Sequence, residues 1–219
     1  MEKIIVVAID GPAGAGKSTV AKIVANRVDI EYVDSGAIYR AITKKMLDSN
    51  IKIEDYSKIE ELLKDINISL LNGKIFINGE DLTPFLRTKE VTELVSPVSN
   101  NVAIRHKVNE FLNEYSKNKS IIMDGRDIGT VVFPNADFKI YLDASLEKRS
   151  QRRFLEKTTN MSLDDIAHSI KKRDDNDKNK SFGALKVASD AIYLDTTDLS
   201  VDEVVDNILK IIKYNGVKV

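Results

Sequence analysis

Ile4-Ile5-Val6-Val7-Ala8-Ile9-Asp10-Gly11-Pro12-Ala13-Gly14-Ala15-Gly16-Lys17-Ser18-Thr19 is an apolar run that passes directly into the pattern G-x-x-x-x-G-K-S. The apolar run reads as a buried strand, and Thr19-Val20-Ala21-Lys22-Ile23-Val24-Ala25 reads as the helix that follows. Gly11, Gly14 and Gly16 permit a tight turn around an anion. Amide N–H groups of the loop and of the helix start then point at the β- and γ-phosphates of a nucleoside triphosphate. Lys17 adds a cation at those phosphates, and the Ser18 hydroxyl is placed to ligate Mg²⁺. Gly11 through Thr19 is therefore the candidate nucleotide site.

Composition narrows the partners. With 219 residues and 42% hydrophobic content, the chain can bury one core, or one core with a small inserted module. Its 33 basic and 34 acidic residues leave a net charge of −1, so there is no electrostatic case for nucleic acid or an anionic membrane as partner. No stretch approaches the roughly 20 apolar residues of a membrane span. Met1-Glu2-Lys3, followed at once by a strand, lacks a signal-peptide pattern. A soluble, cytoplasmic protein is expected. The absence of cysteine rules out disulfides and thiolate metal sites. His106 and His168 stand far apart in helical, polar surroundings and read as exposed side chains, not zinc ligands.

Short apolar runs alternate with helical patterns, the signature of a parallel sheet covered by helices. The spacing predicts strands over Ile4–Asp10, Glu31–Asp34, Ser120–Asp124, Phe138–Leu142 and Ala191–Asp195. An arginine-rich helix follows Ser145, and Ser162 opens another with Leu163, Ile166 and Ile170 on one face. In the last helix, Ser200 and Glu203 form a capping box ahead of the stripe Val201, Val204, Val205, Ile208 and Ile212. One stretch breaks the alternation. Between a helix striped by Ile59, Leu62, Leu63 and Ile66 and another beginning near Lys89, two apolar runs with Asn72-Gly73 and Asn78-Gly79 read as a small antiparallel meander. A further helix carries Ile104, Val108, Phe111, Leu112 and Tyr115.

The acceptor side decides which chemistry the phosphate loop serves. The second strand ends in Asp34-Ser35-Gly36-Ala37-Ile38-Tyr39-Arg40, and the third in Asp124-Gly125-Arg126-Asp127-Ile128-Gly129-Thr130-Val131-Val132-Phe133-Pro134. Ligands of open α/β sheets bind beyond the carboxyl ends of strands. Arg173-Asp174-Asp175-Asn176-Asp177-Lys178-Asn179-Lys180 reads, on its own, as a solvated charge run. Together with the phosphate loop and Asp143-Ala144-Ser145, these segments resemble the bacterial cytidylate kinases over essentially the whole chain.

The resemblance implies an α/β P-loop kinase fold with a five-stranded parallel sheet flanked by helices, a small antiparallel β insertion and a helical lid. It implies one domain, with core 1–62, 93–149 and 181–219, a monophosphate-binding insertion at about 63–92, and a lid at about 150–180. The implied reaction is ATP-dependent phosphorylation of CMP and dCMP with Mg²⁺, carried out by a monomer on small-molecule substrates. Position by position, it gives Ser35, Tyr39, Arg40 and Arg126 to the acceptor's phosphate, Ser96, Arg105 and Asp127 to cytosine, and Arg173 and Asp177 to the sugar. An arginine can donate to N3 and O2 of cytosine while a carboxylate accepts from its amino group. The chain departs from the family's usual arginines at Asn176, Lys178 and Lys180. Lysine at 180 keeps the charge but loses the planar fork.

The implied chemistry needs no general base, because a phosphate with a second pKa near 6 is largely ionised at pH 7. The obstacle is the approach of one anion to another, so positive charge and in-line positioning must carry catalysis. Lys17, Arg40 and Arg126 are candidates, with Arg149, Arg152 and Arg153 on the lid; Asp124 reads either as the holder of a Mg²⁺-bound water or as a plain strand-end residue. The competing enzyme is another small-molecule kinase, for adenylate, thymidylate or shikimate. A GTPase switch or ATP-driven motor fits less well, since the guanine-reading Asn-Lys-x-Asp is missing.

Overall fold

The computed structural model describes residues 3–156 and 161–214. Along the chain, β1 (Val6–Asp10) leads through the phosphate loop into α1 (Lys17–Arg27), followed by β2 (Glu31–Asp34), α2 (Ser35–Asp48) and α3 (Tyr56–Asp65). Then come β3 (Ile68–Leu71), β4 (Lys74–Ile77), β5 (Glu80–Asp81), a single 3-10 turn at Thr83–Phe85, α4 (Lys89–Val98) and α5 (Val102–Ser116). The chain finishes with β6 (Ile121–Gly125), a π-helical turn at Ile128–Val132, β7 (Phe138–Asp143), α6 (Leu146–Leu155), α7 (Leu163–Lys178), β8 (Ile192–Asp195) and α8 (Val201–Tyr214). Residues 157–160 of the expected lid lie outside the described residues.

These elements form two compact units, Met1–Val33 with Asn118–Val219, and Asp34–Lys117. The first is built on a five-stranded parallel sheet in the order β2-β6-β1-β7-β8. β1 lies between β6 and β7, with Val7, Ala8 and Ile9 fully buried, as a two-sided parallel strand requires. It begins at Val6, two residues later than its apolar run, because the ladder to β6 starts with Val6 opposite Ile121 and leaves Ile4 exposed. α1 and α8 pack together, joining Val20, Val24 and Ala25 to Val204, Val205, Ile208 and Ile212 over Val7, Ile122 and Ile140. Each such valine or isoleucine is worth roughly 1.5–3 kcal/mol when fully buried. The capping box forms as the sequence indicates: Ser200 N–H donates to Glu203 Oε2 (2.8 Å), and Glu203 N–H donates to Ser200 Oγ (3.3 Å).

In the second unit, α2 packs on α4, α5 and β4, and α3 packs on α5. The meander is the antiparallel sheet β3-β4-β5. Leu71 pairs with Lys74 and Ile77 with Glu80, so each hairpin has a two-residue loop. Both residues of each loop take positive φ, 52° and 72° at Asn72-Gly73 and 53° and 81° at Asn78-Gly79. That is the mirror-image turn for which Asn-Gly is the favoured dipeptide. Among the described residues, no helix is long and apolar enough to cross a membrane. His106 and His168 are both exposed.

Candidate functional site

The phosphate loop begins where β1 ends. Gly11 adopts φ 149° and passes so close to β7 that a Cβ would stand 1.9 Å from the Leu142 carbonyl oxygen. Gly16 precedes α1 in the left-handed conformation, with no side-chain cap and no acidic residue in the first turn. An uncapped helix start offers its N–H groups and the positive end of its dipole to an anion. Lys17 heads that helix; it is 5% exposed, and its Nζ donates to the Pro12 carbonyl (2.7 Å). Burial, reinforced by the positive charges of Arg126 and Arg173, pushes the Lys17 ammonium down to about 7, against the pull of Asp124 and Asp10. A polyanion arriving at the loop supplies the missing counter-charge. Ser18, half-buried, and Thr19, exposed, complete the first turn.

Facing the loop's first residues within the same unit is the turn after β6. Asp10 binds it directly: Oδ1 accepts from Ile128 N–H (2.8 Å) and Oδ2 from Gly129 N–H (2.7 Å). Burial raises the Asp10 carboxyl to about 6 despite these two donors, with Asp127 adding to the rise and Lys17 opposing it. The accepted amides belong to the π-helical turn, closed by Phe133 N–H donating to Ile128 O (2.7 Å). Such single turns of wide helix recur at functional sites. Asp124 is buried and accepts from the Tyr32 hydroxyl (2.7 Å). The two aspartates and Tyr32 are parts of the site that the sequence reading left without a role or with an open one.

Arg126 leaves this turn and pairs through Nε with Asp177 Oδ2 (2.8 Å), while Lys180 Nζ meets Asp177 Oδ1 at 2.8 Å. Burial works to raise the Asp177 carboxyl, but Arg126 and Lys180 hold it below the ordinary value. Lys180 thus makes a one-point contact. The charge of Arg173 bears on both Lys17 and Asp177. The first unit therefore gathers Gly11–Thr19, Arg126, Asp127, Arg173 and Asp177 at the carboxyl ends of β1 and β6. The arginines expected on the lid have partners within the protein. Arg149 is buried against the phosphate loop, its Nη1 donating to the Ala13 carbonyl (2.8 Å). Arg153 pairs with Glu156 (2.6 Å) at the surface, and Arg152 donates to Thr196.

The second unit carries the other acceptor-side residues. Asp34 caps α2 by accepting from Ala37 N–H (3.0 Å), which fixes Ser35, Tyr39 and Arg40 on its first two turns. Arg40 donates to Leu86 O and Thr92 Oγ1, both at 3.3 Å. Arg105 on α5 is only 2% exposed; its guanidinium carbon lies 5.7 Å from the Tyr39 ring centroid and its Nη1 donates to Ser99 O (3.2 Å). Burying a guanidinium is costly without partners, and the Ser99 carbonyl and the Tyr39 ring are two that Arg105 has. Ser96 lies on α4.

Among the described residues, no group of three or more His, Asp or Glu side chains could cage a metal ion. Mg²⁺ needs no such cage, since it keeps several waters and is bound through one or two protein oxygens plus substrate phosphates.

A family model described as cytidylate kinase matches residues 7–214. The chain belongs to the cytidylate kinase family. It is 44% identical over 209 residues to the cytidylate kinase of Fusobacterium nucleatum subsp. nucleatum, covering 94% of this chain and 96% of that one. The cytidylate kinase of Caldicellulosiruptor bescii is 45% identical over 223 residues, with 99% and 98% covered. Among solved structures, shikimate kinase from Acinetobacter baumannii in complex with shikimate superposes with TM-score 0.51 at 18% identity, covering 99% of this chain and 97% of that one. Shikimate kinase from Bacteroides thetaiotaomicron gives 0.53 at 10% identity, covering 96% and 99%. At such low identity these likenesses show the P-loop kinase fold alone, and the cytidylate kinase assignment rests on the full-length sequence match.

Proposed function

We propose that this chain transfers the γ-phosphoryl group of ATP to CMP and dCMP, giving CDP and dCDP, as a cytoplasmic monomer. The observation that carries the reading is the full-length match to cytidylate kinases, which includes the two segments Asp34–Arg40 and Asp124–Pro134. Gly11 through Thr19 hold the triphosphate, and Lys17 neutralises charge that grows on the γ-phosphoryl oxygens. Ser18 would hold Mg²⁺, which would supply positive charge to the phosphates. The resemblance assigns the acceptor's phosphate to Arg126 and, separately, to Ser35, Tyr39 and Arg40. By the same resemblance the base is assigned to Ser96, Arg105 and Asp127, and the sugar to Arg173 and Asp177. The insertion and lid divisions at about 63–92 and 150–180 belong to the same reading, as do Arg149 and Arg153 on the lid.

Following ADP release with Mg-ATP and a panel of acceptors tests this. CMP and dCMP should outpace AMP, GMP, dTMP and shikimate; a different best acceptor moves the chain to another specificity. Asp127 gives a sharper expectation. Cytosine presents an amino donor where uracil presents a carbonyl, and mismatching buried polar groups costs roughly 1–3 kcal/mol each. Asp127→Asn should lose CMP activity and narrow the CMP-to-UMP ratio of kcat/KM by about tenfold, with ATP affinity retained. An unchanged ratio with both efficiencies lowered would make Asp127 a positioning group.

A further inference from the structure

We propose that Asp174 and Arg149 are positioning residues that pre-form the phosphate loop and tie it to α7, an inference that takes ATP as the loop's ligand from the reading above. Both polar groups of Ala13, in the middle of the loop, are taken by this pair. Asp174 Oδ1 accepts the Ala13 N–H (3.0 Å), and Arg149 Nη1 donates to the Ala13 carbonyl (2.8 Å). The same Nη1 meets Asp174 Oδ2 at 2.6 Å, closing a ring of three polar groups. Arg149 Nε donates to the Ala144 carbonyl (2.9 Å), which fixes the plane of the guanidinium. The side chains are 9% and 6% exposed.

A second set of contacts holds the same point. Ala13 packs with Ile166 and Ile170 of α7 and against Leu146 of α6, and a Cβ on Gly14 would stand 3.1 Å from that of Arg149. Ile166, Ile170, Asp174 and Asp177 are the buried residues of α7, and their spacing of four, four and three places them on one face. One helix therefore grips the phosphate loop through Asp174 and Arg126 through Asp177, a turn apart.

A loop that cradles phosphate must otherwise be ordered at the expense of binding energy, and preorganisation removes that cost. Breaking one partner of a buried ion pair also leaves the other charge uncompensated. The ring thus serves ATP affinity, beyond holding α6 and α7 in place. Its removal should weaken ATP binding by more than the change in overall stability accounts for.

Two measurements decide it. In isotope-labelled, nucleotide-free wild-type protein, the Ala13 amide should exchange with solvent at least about tenfold more slowly than the Gly14 amide; equal rates overturn the proposal. By titration with a non-hydrolysable ATP analogue, Asp174→Ala should raise Kd by about tenfold or more, the loss expected when a buried charged partner is deleted. Asp174→Asn, which retains an acceptor for Ala13, should raise it less, and Arg149→Ala added to Asp174→Ala should add little. Variants that lose thermal stability yet bind the analogue as wild type does would make the ring a structural strut and overturn the proposal. Should the variants fail to fold, the wild-type exchange rates decide. None of these measurements involves the acceptor, so they fail independently of the CMP assignment.

Discussion

Lys17→Ala lowers kcat by about a hundredfold or more without lowering the melting temperature, because its ammonium acts on charge that develops during transfer. In the folded chain that ammonium is buried with a depressed pKa of about 7, so near neutral pH it subtracts from stability. Between pH 7 and the unfolded value of 10.5, the unfolded chain carries a proton that the folded chain lacks, and the stability due to this site rises with pH across that window. The variant should flatten that rise. At pH 8, ATP binding should draw a proton onto Lys17, measurable by calorimetry in buffers of different ionisation enthalpy, and Lys17→Ala should abolish the uptake. A variant with near-normal kcat would assign the γ-phosphate to another cation.

Gly11→Ala is expected to cost roughly 3 kcal/mol or more of stability, the range of strained backbone combined with a core clash. A Cβ would meet the Leu142 carbonyl oxygen at 1.9 Å and its carbon at 3.0 Å. Both belong to a buried strand paired with β1, so neither can retreat without breaking the ladder. Gly16→Ala meets no atom within 4 Å and carries only the strain of φ 84°, about 1 kcal/mol. Urea unfolding of the two variants checks the contrast; equal midpoints would mean that the loop relaxes around the new methyl.

Periodic and local signals made most of the fold legible. Each expected core strand is present with ends shifted by at most two residues, and both Asn-Gly turns fall where that dipeptide demands them. Features that depend on distant partners were not legible. Nothing near Asp10 indicates that its oxygens accept amides from Ile128 and Gly129, and nothing in Ile-Gly-Thr-Val-Val indicates a π-helical turn. Arg149 reads as one of three lid arginines serving catalysis, and its tie to Asp174 leaves no local signal because that partner lies 25 residues away on another helix. Asp174 sat inside a charge run whose polarity suggested solvent. A buried salt bridge between two helices leaves no periodic trace in either.

The strand order carries a consequence for how the chain is made. β1 emerges from the ribosome long before its two neighbours, β6 and β7, which are encoded after residue 120. Asp34–Lys117 is one uninterrupted stretch with its own contacts, and domains fold as units in order of synthesis. This stretch can thus be complete while β1 still waits, unpaired, for Ile121. Its folding also shortens the effective loop between β1 and β6, easing the entropic cost of joining strands so far apart in sequence. The nucleotide loop is consequently translated well before the strands that give it its shape.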